Sequence, residues 1–225
     1  MNKIITLDIE TIPTQREDVR DYIAATVTHP GNIKKAETIA AWNENEKPAA
    51  VDEAVGKTSF DGAFGQVVCV GMDLHDNGEP ATIYGLDEPQ LLELVNRTIA
   101  DAVHASDLFS TTIVGHNVSS FDLRFLVQRY MVNGIKPHHV ISRAAQAKPW
   151  EADKVYDTMI QFAGVGNRIS LDKLCMALGL PGKGDITGAD VWPMVQAGRL
   201  AEVAEYCKQD VIKTRAVFKR MTFAK

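Results

Sequence analysis

The sequence predicts an α/β domain built on a mixed five-stranded sheet. Two observations lead there. Short apolar, β-branched runs occur at 3–10, 65–75, 81–85, 111–117 and 154–159, and stretches with helical periodicity lie between and after them. At 225 residues the chain suits one sizeable domain, 1–225, and no repeat or low-complexity segment interrupts it.

"KIITLDIE" (3–10) reads as a buried first strand. "GQVVCVGMDLH" (65–75), the turn-forming "DNGEP" and "ATIYG" (81–85) together read as an antiparallel hairpin. From Glu88 to about Ser106, Leu91, Leu94, Val95, Ile99, Ala102 and Val103 recur at helical spacing, as expected of an amphipathic helix facing the core. "TTIVGHN" (111–117) is a short strand, and Ser119 and Ser120 are placed to cap the helix "FDLRFLVQRYMVN" that follows. "KVYDTM" (154–159) is the fifth strand. "SLDKLCMALGL", "DVWPMVQAG" and "RLAEVAEYCKQDVIKTRAVFKRM" make the C-terminal third helical, the first opening on a Ser cap and stopping at Gly179.

Residues 14–64 stand apart, because about fifty residues separate the first two strands where a compact domain usually spends a handful. "REDVRDYIAATV" and "KKAETIAAWNEN" predict a largely helical insertion. A lid, a dimerisation arm and decoration all remain open for it. Trp42, Phe60 and Phe64 are expected to pack its core, the other possibility being stacking on unpaired bases.

Hydrophobic content of 45% and runs such as "VVCV" are too modest for a membrane span. The first residues lack a secretory pattern, which predicts a cytoplasmic location and no membrane partner. Cys69, Cys175 and Cys207 are odd in number and widely spaced, as for reduced thiols. Net charge is −5 but uneven: residues 1–112 hold 8 basic and 19 acidic residues, and residues 113–225 hold 16 and 10. An acidic half suits a site that gathers cations, and a basic half suits phosphates. The late run Lys208, Lys213, Arg215, Lys219 and Arg220, with Lys183, could track them.

The chemistry gathers on "TLDIETIP" (6–13). Residues i and i+2 of a strand share a face, so Asp8 and Glu10 lie side by side while Leu7 and Ile9 face the core. Chance alone supplies about one Asp-x-Glu pair in a chain of this composition, so position matters more than the pair. Adjacent carboxylates repel unless a cation sits between them, and hard oxygen donors suit Mg²⁺ or Mn²⁺. Two further donors are well placed: Asp122 at a helix start directly after a strand, and Asp210, which shares a helix face with Tyr206 four residues earlier.

Asp8-x-Glu10, Asn117-x-x-x-Phe121-Asp122 and Tyr206-x-x-x-Asp210 resemble the three exonuclease motifs of the DEDD superfamily, in the branch with Tyr in the third motif. "LDIETIP", "FGQVVCVGM" and "SLDKLCMALGLPGKGDITGADVW" with "YCKQD" are similar to the exonuclease domain of family B DNA polymerases and to stand-alone exonucleases related to it; residues 14–59 match neither. The resemblance implies a ribonuclease H-like fold and a 3′-5′ exonuclease. In it Asp8, Glu10, Asp122 and Asp210 hold two divalent cations, Mg²⁺ or Mn²⁺, about 4 Å apart. Tyr206 orients the attacking water, Thr11 meets the terminal 3′ hydroxyl, and Asn117 and Phe121 lie near the substrate strand. The expected partner is nucleic acid, with single-stranded DNA 3′ ends preferred and nucleoside 5′-monophosphates released. RNA is an alternative substrate, and a silent nucleic-acid-binding module an alternative role. No polymerase sequence follows, so proofreading within the same chain is not expected.

Overall fold

Along the first strand, β1 (Ile4–Ile12), Ile5, Leu7 and Ile9 alternate with Thr6, Asp8 and Glu10, so one strand presents two opposite chemistries. The structure, a computed structural model, describes residues 3–74, 78–182 and 184–224. β1 sits at the centre of a sheet of order β3-β2-β1-β4-β5, whose other strands are β2 (Gln66–Asp73), β3 (Ala81–Tyr84), β4 (Thr112–Gly115) and β5 (Val155–Asp157). β2 is antiparallel to β1 and β3 to β2, whereas β4 and β5 continue in parallel. This is the mixed five-stranded sheet that the sequence predicts. In the expected "DNGEP" turn, Asp76 and Asn77 lie outside the described residues, as does Lys183.

Ile5, Leu7 and Ile9 pack into the main core with α4 (Glu88–Ala102), α5 (Asp122–Val132) and α6 (His139–Ala145). α4 starts where the Asp87 side chain accepts from the Gln90 amide at 3.1 Å, with Pro89 in the first turn. Its buried stripe is Leu91, Leu92, Val95 and Ile99. Leu94, expected inside, is exposed, because the buried stripe runs through Leu92 on the opposite flank of Leu91 and Val95. Ser119 and Ser120 do not cap α5: the cap position is Phe121, and no side chain bonds there. α6 was not legible in the sequence, and the strand expected over 154–159 gives way at Thr158 to α7 (Thr158–Ala163), capped by Asp157.

The other sheet face is covered by α9 (Val191–Gln196) and the 23-residue α10 (Leu200–Thr222), and α8 (Leu171–Ala177) packs on α10. Ser170 caps α8, and Gly179 beyond its end takes φ 67°, the left-handed turn that favours glycine. The β1–β2 register slips between Glu10 and Thr11. This bulge puts two consecutive residues, Val68 and Cys69, on the α10 side of β2.

The insertion folds as expected into helices, α1 (Glu17–Thr26) and α2 (Ala36–Asn45), plus an unforeseen α3 (Lys47–Gly56) and a 3₁₀ turn, Lys57–Phe60. Val19, Ile23 and Val51 make its small core, with Phe64 against them; Trp42 is buried, but Phe60 is not. Two hydrogen bonds tie the turn to the end of β1, from the Thr14 amide to Thr58 Oγ1 at 2.8 Å and from the Thr11 hydroxyl to the Ser59 carbonyl at 2.6 Å.

A buried ion pair fixes the return to β2. Arg129 on α5 forks onto Glu88 at 2.7 and 3.0 Å and donates to the Gly62 and Ala63 carbonyls, both at 3.2 Å. Glu88 also accepts from the Val67 amide at 2.8 Å and from Asn133 at 2.9 Å. Removing one member strands the other charge in the core. Arg129→Met should therefore lose about 3–5 kcal/mol of unfolding free energy in urea denaturation, and adding Glu88→Gln should recover a large part of it.

Candidate active site

Tyr206, Cys207 and Asp210 project from one face of α10, three and four residues apart, and that face lies over the side of β1 carrying Asp8 and Glu10. The close approach depends on Gly71, which pairs with Asp8 across the β1–β2 ladder. A Cβ at Gly71 would stand 2.9 Å from both the Cys207 sulfur and a methyl of Val211. The Cys207 thiol donates to Asp8 Oδ2 at 3.4 Å and to the Asp8 carbonyl at 3.6 Å. One oxygen each of Asp8 and Glu10 and the Cys207 sulfur lie within 4.8 Å of one another. Asp122, buried at the start of α5, accepts from the Ile9 amide at 3.1 Å, between the two carboxylates of β1. Asp210 accepts from Lys213 at 2.8 Å, and Lys213 also faces Asp172 on α8 at 3.6 Å. Of the four acidic residues singled out in the sequence, Asp8 and Glu10 thus share one point, while Asp122 and Asp210 lie close enough to act on both electrostatically without joining that 4.8 Å group, and Tyr206 stands beside Asp210.

The electrostatics follow from that crowding. Burial pushes the Asp8 carboxyl well up, with Asp122, Glu10 and Asp210 adding to it. Burial also lifts Glu10, followed by Asp210. Asp122 is raised to about 7, mainly by burial, against the opposing Ile9 hydrogen bond. Tyr206 is shifted upward by burial and then by Asp210, Glu10 and Asp8, so its hydroxyl stays protonated at neutral pH and serves as a donor. Burial raises the Cys207 thiol too, in keeping with its place as a neutral donor to Asp8 in this structure. Asp8 and Glu10 offer carboxylate oxygens at one point, a chemistry that fits a hard divalent ion such as Mg²⁺ or Mn²⁺.

The Thr11 hydroxyl is held by Ser59 of the insertion. Asn117 adopts φ 60°, unusual for a non-glycine residue. Asp157 holds that turn by accepting from the Asn117 and Ser119 amides, both at 3.0 Å, while also capping α7. Phe121 is half-buried, its ring 5.6 Å from Phe125 and 6.3 Å from Phe60. His116 is engaged at both ring nitrogens, by Thr158 and the Ile169 carbonyl at 2.9 Å each, in keeping with a structural role. The cationic run on α10 is largely occupied: Lys208 pairs with Glu79, Lys213 with Asp210, and Arg215 with Asp73 and the Gly78 carbonyl at 2.8 Å each. Sequence reasoning passed over Cys207 as a plain thiol, although its place three residues before Asp210 puts it on the same helix face.

Sheet order, flanking helices and the acidic cluster define a domain of the polymerase exonuclease type. Residues 61–225 match the model of a family described as "Predicted 3'-5' exonuclease related to the exonuclease domain of PolB", and the chain belongs to that family. Among solved structures the fold is similar to the family B DNA polymerase from the hyperthermophilic archaeon Pyrobaculum calidifontis, with a TM-score of 0.56 and 14% identity over 99% of this chain and 25% of that one. The chain thus spans about a quarter of that polymerase's length. No curated protein matches. Among the described residues no helix is long and apolar enough to cross a membrane.

The raised Asp122 carboxyl gives a testable pH dependence. Folding favours its protonated form, so without metal its contribution to stability is complete below the ordinary carboxylate range, near 4, and is lost as pH rises toward about 7. With chelator present, Asp122→Asn should therefore gain about 1–3 kcal/mol over the unsubstituted protein between pH 5 and pH 8, read from urea unfolding at each pH.

Proposed function

We propose that this domain is a metal-dependent exonuclease of the Tyr-containing DEDD branch, which shortens single-stranded DNA from the 3′ end and releases nucleoside 5′-monophosphates. The observation that carries the reading is the side-by-side placement of Asp8 and Glu10 beneath α10, with Asp122 and Asp210 near enough to raise both carboxyls and a protonated Tyr206 hydroxyl at the edge. Membership of an exonuclease family supports the same reaction class.

Asp8, Glu10, Asp122 and Asp210 are the residues that would hold the cations. Such ions supply an activated water and offset negative charge on the phosphate under attack. The protein's own groups prepare the ground. Burial keeps the carboxylates close and poorly hydrated, so their demand for positive charge is strong. Tyr206, a donor at neutral pH, orients the attacking water by hydrogen bond and takes no proton from it. Asp157 fixes the turn that presents Asn117 and Phe121 toward the strand.

The test compares 3′- and 5′-labelled single-stranded DNA, duplex DNA, RNA and a closed single-stranded circle, each with Mg²⁺, Mn²⁺ or chelator. Stepwise shortening from the 3′ end that stops with chelator is expected. Asp8→Ala and Asp210→Ala should each lower the rate by roughly 10³-fold with the fold intact by circular dichroism, and Tyr206→Phe by about 10²-fold with KM little altered. Cleavage of the circle would redirect the reading to an endonuclease, and degradation of RNA alone to an exoribonuclease.

A further inference from the structure

Phe60 closes the insertion's 3₁₀ turn, yet its ring is 75% exposed. Residues around it are firmly held: Ser59 by Thr11, Thr58 by Thr14, and Gly62 and Ala63 by Arg129. The ring is therefore displayed by a fixed backbone. It stands 6.3 Å from Phe121 with the planes inclined by 52°, and Phe121 immediately precedes Asp122 of the carboxylate cluster. The two rings touch at a tilt, and beside them opens a cleft of about 280 Å³ lined also by Asp61, Ser120, Arg124 and Gln128. Arg124 is exposed and, among the described residues, has no ion-pair partner. Two aromatic faces beside an unpaired guanidinium, one residue from a buried carboxylate, match what an unpaired base and its phosphate need. An apolar protein partner would leave the guanidinium unanswered.

We propose that the cleft beside Phe60 and Phe121 receives an unpaired nucleobase of the substrate strand, stacked on the exposed Phe60 ring with Arg124 on a neighbouring phosphate, so that the insertion forms part of the strand-binding surface. This rests on the exonuclease reading and deepens it. Phe60 itself is a positioning residue, acting on the strand and not on the reacting phosphate.

The experiment uses the full chain with oligothymidylate, with 2-aminopurine placed position by position near the 3′ end, and with an abasic unit walked along the same positions. Phe60→Ala should raise KM roughly tenfold with kcat within about twofold, and Phe60→Trp should restore it. An abasic unit at one position should weaken the unsubstituted protein while leaving Phe60→Ala unaffected. Binding should quench 2-aminopurine at that same position in the unsubstituted protein only. An unchanged KM overturns the proposal, and so does a penalty that is the same wherever the abasic unit lies. A variant that turns a dimer into a monomer without weakening strand affinity would assign Phe60 to self-association instead. If the unsubstituted protein quenches 2-aminopurine through Phe60 yet removes no nucleotide, the exonuclease reading fails and the binding surface stands.

Discussion

Carboxylates crowded between the first strand and the long helix, buried at Glu10 and Asp122 and partly so at Asp8 and Asp210, constitute the central constraint on this molecule. Like charges at such separations repel, and desolvation compounds the cost of ionising them. Asp8, Glu10 and Asp122 respond by drifting toward their protonated forms, and Asp210 is answered by Lys213. The rest of the fold serves to hold this unfavourable arrangement in place. The Ile5, Leu7 and Ile9 face anchors β1 in the main core, and α10 is secured along its length by contacts with Val68, Cys69 and the helices around it. On the proposed reading, a cation would relieve this repulsion.

Much of this was legible in the sequence because the signals were local. β1 declared itself by alternation, and Asp8 and Glu10 by being the two acids on its polar side. α10 declared itself by length, with Tyr206 and Asp210 one turn apart. Asp122 was legible as an acid at the start of a helix after a strand. The sheet order could be guessed only in outline, since strand pairing is a long-range property that no local window reports.

What remained hidden depends on contacts between distant segments. Cys207 reads as an ordinary thiol until β1 brings the Asp8 carboxylate to it. Glu88 and Arg129 look like surface charges on two helices; only packing makes them one buried pair. Ser119 and Ser120 satisfied the rule for a helix cap, but Asp157, some forty residues on, bound the turn first. Phe60 was expected inside on hydrophobicity alone, and the short turn that carries it is pinned in a way that keeps the ring outside.

Gly71 bears no group capable of chemistry, yet it sets how deep the long helix can settle on the sheet. Any side chain there would act as a spacer, lifting Tyr206 and Asp210 away from Asp8 and Glu10 while leaving each of the five residues intact. A variant of this kind would look, by inspection of its motifs, like a complete enzyme. On the proposed reading, activity in a relative of this chain would turn on the empty volume opposite Asp8 as well as on the acids themselves.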